Sequence, residues 1–327
     1  MPERWLITGG CGFIGRNLIR RLQRESDIGI RVLDNGSVCC GRDLAELCAY
    51  TSVSDGALAP SAGQVQLFSG DISNVKDVDQ AMRHMDVIVH LAANTGVPAS
   101  VATPFQDFQN NVLGTFTLLN SARTHNVRRF IFASSGAPTG NAVPPITEKA
   151  VAAPVSPYGA SKLAGEGYCS AWFHCYGLET VALRFSNVYG PYSRHKTSVV
   201  AKFINAALRG EEWLVFGDGK QTRDFLFVDD LVEAIWLAAI KPNVGGEIFQ
   251  ISTGVEHSLH ALTEALRHAL TACGLKAVPV HHEAIRLGDI VRNFADPSKA
   301  ERMLGWKAAV PLSEGLARTV RWFTDKF

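Results

Sequence analysis

A tyrosine and a lysine four positions apart are the first side chains in this sequence that could act together in a reaction. Tyr158 and Lys162 lie in the segment Tyr-Gly-Ala-Ser-Lys, and on a helix this spacing puts both on one face. An ammonium beside a phenol favours the phenolate and lowers the pKa of the phenol. Such a tyrosine can exchange a proton with a substrate hydroxyl near neutral pH. Ser134 and Ser135 end a predicted strand upstream, and a serine hydroxyl there can hydrogen-bond the same oxygen.

A glycine-rich turn near the N-terminus predicts a site for a dinucleotide. The sequence Thr-Gly-Gly-Cys-Gly-Phe-Ile-Gly lies between a predicted strand and a predicted helix, where glycines let a pyrophosphate approach the backbone. Asp34 ends the next strand, and a carboxylate there accepts hydrogen bonds from a ribose diol and repels a 2′-phosphate. We therefore expect NAD rather than NADP. The residues predicted around it here are Gly9, Gly12, Phe13, Ile14, Gly15, Asp34 and Asn35.

Two further strand ends contribute to the predicted cofactor site, because ligands of open α/β sheets bind at the carboxyl ends of strands. Asp71 and Ile72 follow the third predicted strand, and the Asp71 carboxylate is suited to the adenine amino group. Leu91, Ala92 and Ala93 follow the fourth, where small side chains let a cofactor lie against the chain. We interpret His90, next to them, as a core histidine.

The elements that must position these residues alternate between short apolar runs and amphipathic helices. Continuous apolar runs are typical of strands buried on both faces of a parallel sheet, so the pattern predicts an α/β, doubly wound sheet. Residues 36–64 interrupt it as a predicted surface excursion with one short helical piece. The predicted strands are Trp5–Thr8, Ile30–Asp34, Val65–Ser69, Val87–His90, Arg129–Ser134, Trp213–Val215, Phe225–Val228 and Ile248–Ile251. The predicted helices include Ile14–Arg24, Val75–Arg83, Phe105–His125, Val199–Leu208 and Leu231–Ile240.

The alternation of predicted strands and helices becomes less regular after about residue 187, which predicts a smaller, mostly helical C-terminal substrate lobe. We expect a cofactor domain formed by residues 1–187 together with about 224–252. Residues 188–223 and 253–327 would then form the lobe that binds the substrate.

Composition excludes several other classes of protein. The 327 residues are 46% hydrophobic and 19% charged, with a formal net charge of +1, which gives no electrostatic basis for binding nucleic acid. No apolar run is long enough for a membrane span or a secretory signal. The seven cysteines include no CxxC pair, so we expect no metal site and no disulfide scaffold. These features predict a soluble, cytoplasmic protein.

The motifs taken together, in this order, resemble one known family. TGGCGFIG, Asp34, HLAA, the serine pair, YGASK, RFSNVYGP, GDGKQTRDFLFVDDL and RLGDIVRNFADPSKAERMLGW are similar to the extended short-chain dehydrogenases/reductases, in their NAD-dependent nucleotide-sugar epimerase/dehydratase branch. The greatest resemblance is to UDP-glucose/UDP-N-acetylglucosamine 4-epimerases. It covers nearly the whole chain and implies a Rossmann-type fold.

The resemblance implies a mechanism and a catalytic trio of Ser135, Tyr158 and Lys162. Tyr158 would take the proton of the sugar 4-hydroxyl while hydride passes from C4 to NAD. The 4-keto sugar would then rotate and present its other face, and the hydride would return to C4. Lys162 would also hold the nicotinamide ribose, and Asn111 matches a family asparagine beside the site, with an ordinary polar helix residue as the alternative.

The resemblance also implies a nucleotide-sugar site in the second half of the chain. Asn187 and Arg223 would bind the diphosphate, for which a guanidinium is well suited, and Arg286 and Asp289 would reach phosphate and ribose. The uracil pocket would be lined by Val199, Val200 and the segment from Leu214 to Phe216. Asn293 stands where 4-epimerases gate sugar size, and its moderate size favours a pocket open to N-acetyl groups.

Alternatives within and outside this branch remain open. Dehydratases usually place Asp-Glu directly after the catalytic hydroxyl residue, whereas Gly136 and Ala137 follow Ser135 here, which argues against dehydration and against the decarboxylases that often carry an acid there. Arg194, His195 and Lys196 could contact a uronate carboxylate or simply form a surface loop. A UDP-glucuronate 4-epimerase, a decarboxylase, another epimerase or reductase and a non-catalytic dinucleotide-binding module are therefore alternatives. The resemblance further implies a homodimer through the helices near Phe105–His125 and Tyr158–Tyr176.

Overall fold

The centre of the computed structural model, which describes residues 3–276, 278–284 and 291–325, is an eight-stranded parallel sheet. The order of its strands is β12-β7-β6-β5-β1-β2-β4-β3. The strands are β1 Glu3–Thr8, β2 Ile28–Asp34, β3 Thr51–Val53, β4 Val65–Ser69, β5 Val87–His90, β6 Arg129–Ser135, β7 Glu179–Phe185, β8 Asn187–Tyr189, β9 Trp213–Phe216, β10 Thr222–Arg223, β11 Phe225–Phe227, β12 Ile248–Ile251, β13 His257–Ser258, β14 Val280–Glu283 and β15 Arg292–Asn293.

Helices cover both faces of this sheet, so the fold is the Rossmann-type, doubly wound α/β fold that the alternating pattern predicts. A π-helical turn, Phe108–Leu113, and a 3₁₀ turn, Ala137–Thr139, interrupt the regular helices. The α-helices are α1 Phe13–Leu22, α2 Gly41–Ala45, α3 Val75–Met82, α4 Val97–Ala102, α5 Pro104–Asp107, α6 Gly114–Thr124, α7 Pro157–Tyr176, α8 Val199–Leu208, α9 Val228–Ile240, α10 Leu259–Ala272, α11 Ser298–Leu304 and α12 Leu312–Asp325.

The hydrophobic core is divided by the sheet, because side chains alternate between its faces. On β1, Trp5 and Ile7 pack into a cluster with α1 and α9, whereas Leu6 packs on the other face with α3, α6 and α7. Since both faces are covered, the strands read as continuous apolar runs. A third cluster, which includes Phe203 and Trp213, lies among α8, β9, α10 and α12 and forms the core of the second lobe.

Most predicted elements agree with the structure, but the central strand β7 was not predicted, and Val228 begins α9 instead of ending a strand. The helix predicted over Phe105–His125 is wrong as one element: the chain forms α5, the π-helical turn and then α6. The excursion over residues 36–64 contains, besides the short helix α2, the edge strand β3, which pairs with β4. That strand escaped prediction because its three residues, Thr-Ser-Val, carry no apolar run; pairing with β4 alone makes it a strand.

Candidate active site

A cavity of about 530 Å³ opens at the carboxyl ends of the central strands and joins most of the predicted site. The predicted cofactor residues that line it are Gly9, Gly12, Phe13, Ile14, Gly15, Asp34, Asn35, Asp71, Ile72, Leu91, Ala92, Ala93, Tyr158 and Lys162. The predicted substrate residues that line it are Ser135, Asn187, Val199, Val200 and Arg223. One continuous space therefore connects the glycine-rich turn with the Tyr158–Lys162 pair and with the polar residues of the second lobe.

The glycine-rich turn fits its predicted role, because side chains there would clash with neighbouring backbone atoms. Gly9 has a φ of +70°, and a Cβ on it would lie 2.8 Å from the backbone nitrogen of Ala92. A Cβ on Gly15 would lie 2.5 Å from the Cα of Gly10, so only glycine lets α1 approach the turn after β1 this closely. Helix α1 begins at Phe13, so its N-terminal N–H groups face the cavity, where a pyrophosphate is favoured.

Asp34 is held at the end of β2 by two backbone donors. Its Oδ2 accepts from the N–H of Cys11 and its Oδ1 from the N–H of Gly36, each at 3.0 Å. Burial raises the pKa of Asp34, although both N–H groups oppose the rise. Beside it, Asn35 donates to Oδ2 of Asp71 at 2.8 Å, so the two carboxylates share one fixed polar rim. This rim is suited to a ribose diol and an adenine amino group.

Tyr158 and Lys162 both lie in the first turns of α7, which Ser156 caps by accepting the N–H of Gly159 at 3.1 Å. The Lys162 Nζ donates to the carbonyl oxygen of Ala133 on β6 at 2.9 Å and lies 5.9 Å from the centre of the Tyr158 ring. Burial lowers the pKa of Lys162 to about 8. Helical spacing and the strand end of β6 thus bring the phenol, the ammonium and Ser135 to one wall of the cavity.

The expected lowering of the Tyr158 pKa is wrong for the protein alone. Burial raises the pKa of Tyr158, and the nearby Ser135 hydroxyl only opposes that rise. The physical reason is geometric: the Lys162 ammonium is bonded to the Ala133 carbonyl and not to the phenol. Activation of the phenol therefore depends on more than the Tyr-Lys spacing.

Asn111 does not line the cavity, although its neighbour Asn110 does. Asn111 is 2% exposed, and its Oδ1 accepts the N–H of Asn94 at 2.8 Å. Its Nδ2 lies 2.9 Å from both the carbonyl oxygen of Asn94 and Oδ1 of Asp107, and 3.2 Å from Oγ of Ser161. Asn111, on the π-helical turn, therefore ties the loop after β5 to α7.

Buried polar residues that sequence reasoning missed support the same helix. Arg184 on β7 donates Nε and Nη2 to the two oxygens of Glu166 at 2.8 and 2.7 Å, and Ser134 donates to Glu166 at 2.5 Å. Glu166 lies one helical turn after Lys162, and this four-residue spacing could have indicated from the sequence that Glu166 lies near the site. His90 is a core histidine, as interpreted: it is 2% exposed between Thr8 and Thr115, and burial lowers its pKa to about 3.

The predicted substrate residues separate into those that reach the cavity and those that do not. Leu214 and Phe216 are not among the residues that line it, because β9 pairs with β14 in the second lobe instead of bordering the central sheet. Asn293 also does not line it, although it is paired with Arg223 between β15 and β10. Arg286 and Asp289 lie outside the described residues. Of the residues predicted for the uracil wall, Val199 and Val200 at the start of α8 line the cavity.

The three basic residues after β8 point in different directions. Arg194 donates to the carbonyl oxygen of Phe323 at 2.7 Å and packs toward α12. His195 lines the cavity, and its Nδ1 lies 3.3 Å from Sγ of Cys39. Lys196 lines the cavity too, and its Nζ donates to Oγ1 of Thr95 at 3.2 Å. Burial lowers the pKa of Lys196. Only part of this cluster is therefore a surface loop.

The residues that the structure describes form neither a metal centre nor a membrane-spanning helix. Among those residues, no three His, Cys, Asp or Glu side chains are grouped so that they could hold a metal ion. In the same residues, no helix is both long and apolar enough to cross a membrane.

Comparison with known proteins identifies the family. The model of the NAD-dependent epimerase/dehydratase family matches residues 5–252. A UDP-glucose 4-epimerase of Mycolicibacterium smegmatis is 36% identical over 329 residues, covering 99% of each chain. The solved structure of a UDP-N-acetylglucosamine 4-epimerase from Methanobrevibacter ruminantium, in complex with UDP-N-acetylmuramic acid, matches with a TM-score of 0.88 and 29% identity over 100% of both chains.

A second solved structure holds the cofactor and a different sugar. It is the UDP-glucuronic acid 4-epimerase from Bacillus cereus in complex with UDP-glucuronic acid and NAD, with a TM-score of 0.87 and 27% identity, covering 99% of this chain and 100% of that one. The fold, the cavity and these matches over nearly the full length lead to one conclusion. The chain belongs to the NAD-dependent epimerase/dehydratase family, whose members are nucleotide-sugar enzymes.

Proposed function

We propose that this protein is an NAD-dependent UDP-sugar 4-epimerase that acts by transient oxidation at C4. The observation that carries the proposal is the single cavity shared by Asp34 at one end, the Ser135–Tyr158–Lys162 trio in the middle and Arg223 with Asn187 toward the second lobe. This order matches a cofactor, a reacting sugar and a diphosphate laid end to end.

The residues present fit NAD. The glycine-rich turn leaves room for a pyrophosphate at the start of α1, and Asp34 accepts the ribose hydroxyls at the end of β2. Lys162 holds the nicotinamide ribose beside Ala133. When bound, NAD⁺ supplies the hydride acceptor, and its positive charge favours the Tyr158 phenolate.

Tyr158 and Ser135 carry out the proton transfers of the proposed mechanism. Tyr158 accepts the proton of the sugar 4-hydroxyl as C4 loses its hydride, and it returns that proton once the hydride has been returned to the opposite face. The Ser135 hydroxyl donates to the substrate oxygen and stays oriented, because its Oγ also accepts the N–H of Ala137 at 3.2 Å. No net redox change results, so no reduced cofactor is consumed.

Elimination of water is disfavoured by the charges around the cavity. Among the described residues that line it, the carboxylates are Asp34 and Asp71, and both lie at the adenosine end. Gly136 and Ala137 follow Ser135, so no acid stands beside the sugar to protonate a leaving hydroxyl. This supports epimerisation over dehydration.

Lys196 favours a second candidate substrate, UDP-glucuronate. Its ammonium reaches the cavity wall beside Thr95, and a carboxylate at C6 of the sugar would supply the opposite charge. UDP-N-acetylglucosamine and UDP-glucose, each with its galacto epimer, remain the leading substrates, because the moderate size of Asn293 favours a pocket open to N-acetyl groups.

The proposal includes a division of labour between two lobes. Residues 1–187 with about 224–252 bind NAD, and residues 188–223 and 253–327 bind the nucleotide sugar. The third hydrophobic cluster supports this division for α8, α10 and α12, whereas Leu304 and Trp306 pack in a cluster of the sheet.

The proposal also includes a homodimer formed through α6 and α7. These helices pack together through the edge-to-face rings of Phe116, Tyr168 and Trp172. The segment before α6 exposes large apolar side chains, among them Phe105 at 69% and Phe108 at 51%. An apolar surface of this kind is typical of an interface.

Proton NMR of the purified protein with one UDP sugar per tube tests the proposed reaction. UDP-N-acetylglucosamine, UDP-glucose and UDP-glucuronate are each incubated with NAD and without reduced cofactor. We expect the galacto epimer to appear in at least one tube. Tyr158→Phe should lower the rate at least about 100-fold, as for loss of a general base, while Tyr168→Phe on the same helix should not.

The outcomes separate the alternatives. Release of CO₂ from UDP-glucuronate would show that the reaction is decarboxylation and not epimerisation. Full activity of the Tyr158→Phe protein would refute the mechanism. No change in any tube would refute 4-epimerisation of these sugars and direct the search to other nucleotide sugars or to a non-catalytic role.

A further inference from the structure

We propose that Asp107 is a positioning residue whose buried carboxylate is the counter-charge of the Lys162 ammonium and sets the pH range of the reaction. The inference rests on the proposed function, because Lys162 and Tyr158 are the proton-transfer pair of that reaction. Asp107 itself does not line the cavity.

Asp107 is connected to the catalytic turn of α7 by a short polar network. It ends α5 and is 2% exposed, and its Oδ1 accepts a hydrogen bond from Nδ2 of Asn111 at 2.9 Å. The same amide lies 3.2 Å from Oγ of Ser161, which in turn donates to the carbonyl oxygen of Tyr158 at 2.9 Å. The carboxylate is therefore fixed against the turn that carries both members of the pair.

The buried charges under the cavity leave Asp107 and Lys162 without a direct partner of opposite sign. Glu166 and Arg184 neutralise each other in a bidentate pair. Lys162 donates to the neutral carbonyl of Ala133, and none of the ion pairs among the described residues includes Lys162 or Asp107. A buried ammonium with no nearby anion loses its proton more readily. The Asp107 carboxylate, acting through the low-dielectric interior, therefore helps to keep Lys162 protonated.

The direction of the charge effects agrees with this geometry. Burial lowers the pKa of Lys162, and the Asp107 carboxylate is the largest of the charges that raise it again, ahead of Glu166. Burial raises the pKa of Tyr158, and Asp107 adds to that rise. Of the other groups that face the pair, His90 is neutral because burial lowers its pKa to about 3, and burial keeps the Cys169 thiol protonated by raising its pKa.

A distinctive pH dependence follows. Activity requires a deprotonated Tyr158 and a protonated Lys162, so rate against pH is bell-shaped and its limbs report the pKa values of the pair. Removing a nearby anion makes the phenolate easier to form and the ammonium easier to lose. Both pKa values fall, and the whole bell moves to lower pH.

The test compares Asp107→Asn with the wild type by pH–rate profiles and by the ultraviolet absorbance of the Tyr158 phenolate. The phenolate signal is isolated by subtracting the spectrum of a protein that also carries Tyr158→Phe. We expect both limbs and the phenolate midpoint to move down by about half to one pH unit. Asp107→Glu, which keeps the charge, should restore the wild-type positions, even if it lowers the rate.

Matched variants separate this role from simple support of the fold. Asp230→Asn removes another buried carboxylate, one that accepts the N–H groups of Ala309 and Val310 and does not line the cavity, and it should leave both limbs in place. Asp107→Ser serves as the second charge-free variant if Asp107→Asn does not fold. Loss of rate at every pH with unmoved limbs would overturn the inference.

The phenolate titration needs no substrate, so it keeps this inference separate from the proposed function. If the wild type turns over none of the UDP sugars, the proposed function fails, while the titration still decides the role of Asp107. An unmoved Tyr158 midpoint in the Asp107→Asn protein overturns the inference whatever the activity.

Discussion

At the scale of single residues, one carboxylate determines which cofactor the glycine-rich turn accepts. Asp34 is oriented by the N–H groups of Cys11 and Gly36, so its remaining lone pairs face the cavity. A ribose diol can donate to them, whereas a 2′-phosphate would meet like charge in a buried place.

Replacing Asp34 by Asn should therefore weaken NAD binding and improve NADP binding. Loss of a hydrogen bond to a charged group costs about 1.5–3 kcal/mol, which is about 10- to 100-fold in affinity. Isothermal titration calorimetry with each cofactor measures this, and Asp55→Asn, on the exposed excursion, serves as the control. Unchanged NAD affinity in the Asp34→Asn protein would show that the carboxylate does not contact the ribose.

A second prediction at this scale concerns Lys196, which distinguishes a uronate from a neutral sugar. Lys196→Met keeps the length and loses the charge, so we expect kcat/KM for UDP-glucuronate to fall at least about tenfold more than for UDP-N-acetylglucosamine. Steady-state kinetics with the two substrates gives the ratio. An equal fall for both would assign Lys196 to the diphosphate that they share.

At the scale of elements, the catalytic helix α7 is set against the sheet by a glycine contact and an ion pair. A Cβ on Gly165 would lie 2.3 Å from the ring of Phe132 on β6, so only glycine lets the helix approach this closely. The Glu166–Arg184 pair locks the same turn to β7. Because Tyr158 and Lys162 lie on this helix, its distance from β6 sets their distance from Ser135.

Gly165→Ala should move α7 away from β6 and cost about 1–3 kcal/mol in the free energy of unfolding, with a lower kcat. Gly167→Ala is the matched control on the same helix, because a Cβ there meets nothing within 4 Å. That control should be stabilised by about 0.5–1 kcal/mol, since alanine favours a helix. Denaturant unfolding measures both variants, and equal stabilities would contradict the packing argument.

At the scale of the whole molecule, the exposed apolar side chains before α6 predict a second copy of the chain. Phe105→Glu places a charge on a side chain that is 69% exposed, so the folded monomer loses little while a dimer interface is broken. Light scattering after size exclusion should show a dimer for the wild type and a monomer for this variant. Val151→Glu, at a still more exposed site outside these helices, should stay dimeric. A monomeric wild type would contradict the proposed dimer.

The sequence alone predicted the doubly wound sheet, the dinucleotide turn and the Tyr158–Lys162 spacing, because each depends on neighbours along the chain. Periodicity, glycine spacing and strand ends are local properties, and the family resemblance extended them to NAD and a nucleotide sugar. Only the tertiary structure decided that the Asn111 amide binds Asp107, that Leu214 and Phe216 do not line the cavity, and that β3 joins the sheet. It also placed Asp107, Glu166 and Arg184 beneath the site. Their roles depend on burial and on partners from distant segments, and neither can be read from sequence spacing.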